Sequence, residues 1–281
     1  MPVKAAGGAP VTGSPIRLAV LGDPLAYTRS PDLHRAGLAA LGLAGDSQAI
    51  RTAPERLGEQ LAELFSRGFR GVNLTRPLKE AALPHLARVS EAARAARSVN
   101  TVGLDAEGWW GDTTDGSGLL DLLAELARAD ACERVVMLGA GGAARSLARS
   151  LAGAGGSLVV SARRPGEVGE PWRDLARTRM VGWRTPGETD ALREATLVVN
   201  ATPLTAAGGP AQLALIARGA LLLDLNYGAD VTPWVSQARA EGRAAHDGLG
   251  LLVHQARHSL ALWFGRMPPL EPLARAVGWP R

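Results

Sequence analysis

The chain has 281 residues, of which 46% are hydrophobic and 21% charged, as in a globular protein long enough for two domains with buried cores. Its net charge of +4 is small, its arginines are spread along the chain and only 4% of residues are aromatic, which excludes an obvious nucleic-acid-binding surface. The single cysteine, Cys132, excludes an internal disulfide and a cysteine metal cluster and agrees with a cytoplasmic location, and we predict no metal site. No apolar stretch approaches the length of a membrane span, and residues 1–15 predict a flexible leader that lacks the apolar core of a signal peptide.

The first part of the chain alternates short apolar runs with helical patterns. Its predicted strands are residues 16–21, 47–52, 71–74 and 98–102, and its predicted helices are residues 31–43, 54–67, 77–87 and one that begins at the Ser90 cap. Residues 103–108 predict a turn that leads back toward Trp109 and Trp110. Helical crossovers between strands imply a mostly parallel α/β layer.

The second part begins with a long helical pattern just after Asp115 and contains buried-type strands. Strands are predicted at 134–138, 157–161, 196–199 and 220–224, with a helix from the glycine-rich turn to about residue 154. The pattern over 249–264 predicts one long helix that returns to the first domain. We therefore predict a two-domain α/β fold: a substrate-binding domain (1–114 and 249–281), a Rossmann-type dinucleotide domain (115–248) and a cleft between them.

Lys79 is one of two lysines in the chain, and the other, Lys4, lies in the leader. Arginine stays protonated near neutral pH whereas a desolvated lysine can lose its proton, so a proton-transfer task would explain a lysine at this position. Asp115, at the predicted domain junction, could hold that amine and share in the proton transfer. The alternatives are a surface lysine left by chance and an aspartate that caps a helix.

A Gly-x-Gly-x-x-Ala pattern lies between a predicted buried strand and a predicted helix. Gly139 would make the tight turn, Gly141 would let the backbone approach a pyrophosphate, and Ala144 would pack helix against strand. The next strand ends without an acid, and Arg163 and Arg164 could pair with a 2′-phosphate, so we predict NADP as the cofactor. The alternative is two solvated surface arginines.

Several stretches together resemble one enzyme family. They are Gly22-x-Pro24, Ser30-Pro-x-x-His34, Gly71-Val-Asn-x-Thr-x-Pro-x-Lys79, Val99-Asn-Thr101, Thr114-Asp-Gly-x-Gly118, Gly139-Ala-Gly-Gly-Ala143, Asn200-Ala-Thr-Pro203, Asp224-x-x-Tyr227 and Gly248-Leu-Gly-x-Leu-x-x-Gln255. In this order, over roughly residues 16–265, they closely resemble the shikimate dehydrogenase family.

This resemblance implies NADP-linked interconversion of 3-dehydroshikimate and shikimate, in the shikimate pathway to aromatic amino acids, with Lys79 and Asp115 as the catalytic pair. It implies that the substrate carboxylate binds the hydroxyls of Thr28 and Ser30, helped by Tyr227, and that the ring hydroxyls bind Thr75, Asn100, Asp115 and Gln255. By the same matching, the cofactor-binding residues are Gly139, Ala140, Gly141, Gly142, Ala143, Arg163, Arg164, Thr202 and Gly248. Each substrate residue has a structural alternative: Thr28 and Ser30 could cap the helix at Pro31, Asn100 could hold a turn, and Gln255 could lie on a solvated helix face.

The chain also departs from the family pattern. Tyr27 stands where the family usually has His, Thr28 where it has Ser, Thr113 where it has Asn, Ala162 where it has Asn and Arg164 where it has Thr. A threonine methyl at position 28 would reshape the carboxylate pocket.

Two other functions stay open from the sequence. They are a quinate or quinate/shikimate dehydrogenase, which NAD use would favour, and a non-catalytic nucleotide-responsive regulator, which loss of the Lys/Asp pair would mark. The sequence leaves the oligomeric state open, a homodimer included.

Overall fold

The computed structural model describes residues 15–25, 27–205 and 209–281. The predicted flexible leader therefore lies outside the described residues, apart from Pro15. The chain forms two compact units: the first comprises the residues up to Gly118 together with Leu252–Pro280, and the second comprises Leu119–Leu251 with Arg281. Among the described residues, no helix has the length and apolar character needed to cross a membrane.

The elements of the first unit lie mainly in the N-terminal part of the chain. They are β1 (Ile16–Gly22), α1 (Ser30–Ala40), β2 (Gly45–Arg51), α2 (Leu57–Ser66), β3 (Phe69–Leu74), α3 (Leu78–Ala81), β4 (Arg88–Val89), α4 (Glu91–Ala96), β5 (Thr101–Asp105) and β6 (Gly108–Asp112). Helix α5 (Asp115–Glu125) begins in this unit and continues into the second.

The remaining elements complete the chain. They are β7 (Arg134–Leu138), α6 (Gly142–Gly153), β8 (Ser157–Ala162), β9 (Thr178–Gly182), α7 (Pro186–Glu194), β10 (Leu197–Asn200), β11 (Leu221–Asp224), α8 (Pro233–Ala240), β12 (Ala245–His246), α9 (Leu249–Phe264) and α10 (Leu270–Val277). Helix α9 has the predicted bounds, and most of it, with α10, belongs to the first unit.

The sheet of the first unit is mixed, in the order β2-β1-β3-β5-β6-β4. Three of its five strand pairs are parallel, and the two pairs made by β5 are antiparallel. Apolar side chains of the strands pack on α2 in a buried core that includes Leu21, Leu57, Leu61 and Val72. The parallel strands β1 and β3 are neighbours, so their carboxyl ends lie at the same edge of the sheet.

The predicted helix over residues 77–87 is wrong in length. Helix α3 ends at Ala81 after about one turn, and a 3-10 turn, Leu83–His85, replaces the rest. Pro84 lacks a backbone N–H and disfavours the helical conformation of the residue before it, so the α-helix cannot continue.

The predicted turn over residues 103–108 is also too long. Strand β5 runs through Gly103 to Asp105, and only two residues connect it to β6. Gly103 reads as a turn former, but it lies opposite Trp110, and a Cβ there would come within 2.3 Å of that indole ring. The glycine therefore makes room for an aromatic side chain.

The sheet of the second unit is wholly parallel, in the order β12-β11-β10-β7-β8-β9. If β7 is counted as strand 1 and β12 as strand 6, and the sheet is read from the β9 edge, this is the doubly wound order 3-2-1-4-5-6. The switch point of that order lies beside strand 1, which is β7. Its core includes Val136, Val198, Leu222 and Trp234. The predicted Rossmann-type α/β fold of this part of the chain is confirmed.

Candidate active site

Lys79 lies on α3, where the backbone leaves β3. The N–H of Val99 donates to the carbonyl oxygen of Lys79 (2.8 Å), which fixes the short helix against the chain leading to β5. The Nζ of Lys79 donates to Oδ2 of Asp115 across 2.6 Å, and the two side chains are only 17% and 6% exposed. A largely buried ion pair of this kind fixes the position of the amine far better than a surface pair would.

Asp115 is the first residue of α5, where the helix dipole stabilises a negative charge. Its Oδ1 accepts from Nδ2 of Asn100 (2.8 Å), while Oδ2 accepts from Lys79. The N–H of Gly118 donates to the carbonyl oxygen of Thr114, so the residue that caps α5 is Thr114. The alternative that Asp115 is the cap residue is wrong.

Asn100 joins several predicted site residues. Its Nδ2 lies 2.6 Å from Oε1 of Gln255, and its Oδ1 accepts from the N–H of Thr114 (2.9 Å). Gln255 therefore points to this cluster and not to a solvated helix face. Gly118 permits this approach of α5 and α9, because a Cβ there would lie 2.8 Å from the backbone nitrogen of Gln255.

A second layer of buried polar groups supports Asn100. Nδ2 of Asn73 lies 2.8 Å from the carbonyl oxygen of Asn100, 3.1 Å from the hydroxyl oxygen of Thr101 and 3.0 Å from that of Ser259, so both of its N–H groups have acceptors. Oδ1 of Asn73 lies 2.8 Å from Nε2 of His34, and since an amide oxygen only accepts, that ring nitrogen carries the proton. Complete burial lowers the pKa of His34 to about 4, so the ring is neutral at pH 7.

Thr28 and Ser30 lie at the start of α1. The hydroxyl of Thr28 donates to that of Ser30 and accepts from the N–H of Ser30, both across 3.4 Å. Arg29, the residue before the helix, makes no side-chain cap bond. The hydroxyl of Ser30 makes no capping bond within the described part of the chain, so it is available to a ligand at the helix N-terminus. Thr75 follows β3 at the same edge of the sheet, its N–H bonded to the carbonyl oxygen of Leu21 (2.9 Å).

The glycine-rich turn of the second unit links β7 to α6. Gly139 has a φ of +104°, a conformation that favours glycine, and a Cβ there would lie 3.1 Å from the carbonyl oxygen of Ala201. A Cβ at Gly141 would meet no atom within 4 Å, so the space beside this backbone is open, and α6 begins at the next residue, Gly142. Ala140 and Ala143 flank this open stretch. These features fit the pyrophosphate of a dinucleotide at a helix N-terminus.

A buried carboxylate organises the loops after β10 and β11. Asp224 accepts from Nδ2 of Asn200 (2.9 Å), and burial raises the pKa of the Asp224 carboxyl. Oδ1 of Asn200 accepts from the hydroxyl of Thr202 (2.6 Å), which lies beside the glycine-rich turn. Tyr227 follows three residues after Asp224, and Gly248 packs on the carbonyl oxygen of Leu225. Tyr227 belongs to the second unit, whereas Thr28 and Ser30 belong to the first.

Two family models match the chain. The model of the shikimate dehydrogenase substrate binding domain matches residues 20–102, and that of the shikimate 5′-dehydrogenase C-terminal domain matches residues 248–277. The NADP(+) shikimate dehydrogenase of Desulfitobacterium hafniense (strain Y51) is 36% identical over 265 residues, which cover 92% of this chain and 96% of that protein. The chain belongs to the shikimate dehydrogenase family.

Solved structures agree with this membership of the shikimate dehydrogenase family. The shikimate 5-dehydrogenase of Thermus thermophilus, in complex with NADP(H) and shikimate, superposes with a TM-score of 0.83 at 35% identity, covering 94% of this chain and 98% of that one. The quinate dehydrogenase of Corynebacterium glutamicum, in complex with NAD, has a TM-score of 0.79 at 29% identity, covering 93% and 98%. The same fold therefore also occurs in an enzyme that is named for quinate and was solved with NAD.

The sequence motifs of the family contain residues to which our sequence analysis gave no role. His34 and Asn73 stand in two of those motifs, and Asn73 is one of only four asparagines in the chain, which is a signal that the sequence offers for it. Ser259 was missed altogether. It lies four residues after Gln255 on α9, so helical periodicity alone places it on the same face.

Proposed function

We propose that the chain catalyses the NADP-dependent interconversion of 3-dehydroshikimate and shikimate in the shikimate pathway. The observation that carries this proposal is the Lys79–Asp115 pair, 2.6 Å apart and largely buried, within a cluster of neutral amides and hydroxyls. A small acid with several hydroxyl groups needs many short donors and acceptors and few charges.

Lys79 is the proton-transfer residue of this proposal. When bound, NADPH would supply the hydride that reduces the ketone. In that direction Nζ of Lys79 donates a proton to the ketone oxygen, so that hydride and proton together make the hydroxyl; in the other direction the neutral amine takes the hydroxyl proton. Asp115 holds the amine in place and balances its charge.

The substrate-binding residues of this proposal are those that the resemblance to the family implies. The N-terminus of α1 and the hydroxyls of Thr28 and Ser30 suit a carboxylate, and Tyr227 would add a further hydroxyl. The amides of Asn100 and Gln255 and the hydroxyl of Thr75 would bind the ring hydroxyls together with Asp115. Asn100 and Gln255 already contact each other, so they are preorganised for neighbouring hydroxyls.

The cofactor would be held by residues of the second unit. Gly139, Ala140, Gly141, Gly142 and Ala143 would bind the pyrophosphate, and Arg163 and Arg164 the 2′-phosphate. Thr202, beside the glycine-rich turn, and Gly248 complete this assignment. In the same proposal residues 1–114 and 249–281 form the substrate-binding domain and residues 115–248 the NADP-binding domain.

Initial rates would test this function. Wild type and Lys79→Met are assayed with shikimate and with quinate, each paired with NADP and with NAD. We expect the highest kcat/KM with shikimate and NADP, and loss of that activity in Lys79→Met. Faster turnover of quinate with NAD would favour the quinate dehydrogenase alternative. NADP binding without turnover of either substrate would favour the regulator.

Location and assembly are further parts of the proposal. We propose a cytoplasmic enzyme, which the single Cys132 supports, because such a chain needs no oxidising compartment. A homodimer stays a prediction that light scattering of the purified chain would test.

A further inference from the structure

The loop between β9 and α7 carries a Trp183-Arg184 pair that has no role in the site described above. The guanidinium of Arg184 lies over the indole ring of Trp183, 4.5 Å from its centroid. Stacking on an aromatic face restrains a guanidinium while leaving its edge free to donate hydrogen bonds. The indole is therefore a support that holds one cation in a defined position.

Strand register places this pair beside the predicted NADP-recognising arginines. Strand β9 pairs in parallel with β8, and Gly182 is the partner of Ala162. The pairing continues one residue further, because the N–H of Trp183 donates to the carbonyl oxygen of Ala162 across 3.0 Å. Residues 183–184 and residues 163–164 therefore follow two neighbouring strands, at the carboxyl edge of the sheet where a Rossmann domain reads the adenosine ribose.

The charged side chains at this edge of the sheet differ in whether they have a partner within the protein. Arg164 forms an ion pair with Glu167 (2.8 Å). Within the part of the chain that the structure describes, Arg184 interacts only with the Trp183 ring, and Arg163 forms no hydrogen bond or ion pair. Glu188, on the helix that follows, is 4% exposed and accepts from the hydroxyl of Ser161, so its carboxylate is turned inward. Arg163 and Arg184, which follow adjacent strands, are thus both exposed and have no anionic partner among the described residues.

The backbone at Arg184 supports a role for its side chain. Its φ is +59°, in the left-handed region that disfavours every residue with a Cβ. Glycine would fit this turn with less strain, and an unfavourable backbone conformation is a reason to look for a function at the residue that adopts it. Arg177 adopts the same conformation, with a φ of +56°, and has no role in the proposed site, so the argument for Arg184 depends on its position and its charge.

We infer that Arg184, supported by Trp183, binds the adenosine 2′-phosphate of NADP together with Arg163 and so determines cofactor specificity. This inference rests on the proposed function. A phosphate with nearly two negative charges and three acceptor oxygens is well matched by two guanidiniums that approach from neighbouring strands. Arg164, already paired with Glu167, would contribute less.

The test compares Arg184→Gly with Arg177→Gly in the full-length protein. Arg177 is a matched control: it is also a left-handed arginine, with a φ of +56°, but it precedes β9 at the amino edge of the same sheet. Dissociation constants for NADP, NAD, adenosine 2′,5′-bisphosphate and AMP are measured by calorimetry, and melting temperatures by circular dichroism. None of these readouts depends on activity.

We expect Arg184→Gly to weaken the two 2′-phosphate ligands about 10- to 100-fold, the usual effect of losing a charged hydrogen bond, and to leave NAD and AMP unchanged. Its melting temperature should not fall, because glycine accepts the left-handed conformation. Arg177→Gly should leave all four affinities unchanged. Trp183→Leu should weaken the same two ligands by a smaller factor, because Arg184 loses its support.

Two outcomes would overturn the inference in distinguishable ways. If wild type prefers NADP to NAD and Arg184→Gly keeps that preference, this loop has no part in specificity and the proposed function stands. If wild type binds NADP no better than NAD, the proposed cofactor is wrong as well. An equal loss of NAD and NADP affinity in Arg184→Gly counts with the first outcome, because the preference is kept and only a disturbance of the loop shared by both cofactors has been measured.

Discussion

The two carboxylate oxygens of Asp115 have different partners: Oδ2 accepts from Nζ of Lys79 at 2.6 Å, and Oδ1 accepts from Nδ2 of Asn100 at 2.8 Å. One side chain thus fixes both the proposed proton-transfer group and the amide proposed to bind a ring hydroxyl. These three residues act as a unit, so their substitutions should not be additive.

The variants Lys79→Arg and Lys79→Met distinguish two roles for Lys79, proton transfer and the supply of a positive charge alone. If the amine must release a proton, arginine should fail nearly as badly as methionine, because it does not deprotonate near neutral pH. We expect both variants to lose about 10²- to 10⁴-fold in kcat, measured at saturating shikimate and NADP. Their affinity for NADP, which we assign to the other unit, should be unchanged. Near-normal turnover by Lys79→Arg would leave Lys79 with an electrostatic role only.

Asp115→Asn should also lower kcat, because the amide removes the charge that balances the ammonium. The double variant with Lys79→Met should be little slower than Lys79→Met alone. Multiplicative losses in a double-mutant cycle would mean that the two residues act independently.

Ser30→Ala should raise the KM for shikimate without changing the affinity for NADP. Loss of one hydrogen bond to a charged group is worth about 1.5–3 kcal/mol, or about 10- to 150-fold. Ser90→Ala is the matched control, because the hydroxyl of Ser90 accepts from the N–H of Ala93 and caps α4. That change should lower the free energy of unfolding by about 1 kcal/mol and leave the KM unchanged. If Ser30→Ala affected only stability, its hydroxyl would be a structural group.

Much of the fold follows from local sequence patterns. Strand β7 and helix α9 have their predicted bounds, because one is a compact apolar run between an arginine and a glycine and the other is a long uninterrupted helical period. Helix α3 was predicted too long because a single proline, Pro84, outweighs the helical pattern around it. Strand β4 has two residues and exists through its pairing with β6, which no local pattern specifies.

The sequence predicted those residues of the candidate site whose type is unusual in this chain. It did not predict residues whose role depends on contacts between distant parts of the chain. The scarcity of lysine drew attention to Lys79 from the sequence. The hydrogen bond between Asn73 and Ser259 joins residues 186 positions apart, so only the folded chain brings them together. The same holds for Arg184, whose position beside Arg163 depends on the register of β8 and β9.

Arg163→Ala should weaken NADP far more than NAD. Its guanidinium has no competing partner among the described residues, so we expect a loss of about 10- to 150-fold in NADP affinity, measured by calorimetry. Arg164→Ala is the comparison, and its smaller expected effect follows from the ion pair with Glu167. Equal use of NAD and NADP by the wild type would contradict the prediction of NADP as cofactor.

The burial of His34 should make the stability of the protein depend on pH. The pKa of this imidazole is about 4 in the folded protein, because burial disfavours the charged ring, and about 6.5 in the unfolded chain. Between these values the unfolded state binds more protons, so the free energy of unfolding falls as the pH is lowered. For this one group, we expect a loss of about 2 kcal/mol between pH 7 and pH 5.

Urea denaturation of wild type and His34→Gln at pH 7 and pH 5 would measure this contribution. Glutamine can still donate to Oδ1 of Asn73 but does not titrate, so the variant should be less stable at pH 7 yet lose less stability on acidification. Burial also lowers the pKa of His246, which adds a pH dependence of the same sign, but that contribution is common to both proteins and cancels in the difference. If the free energy of unfolding fell equally in the two proteins, His34 would bind a proton as readily in the folded as in the unfolded state. The buried network around Asn73 would then accommodate the charged ring.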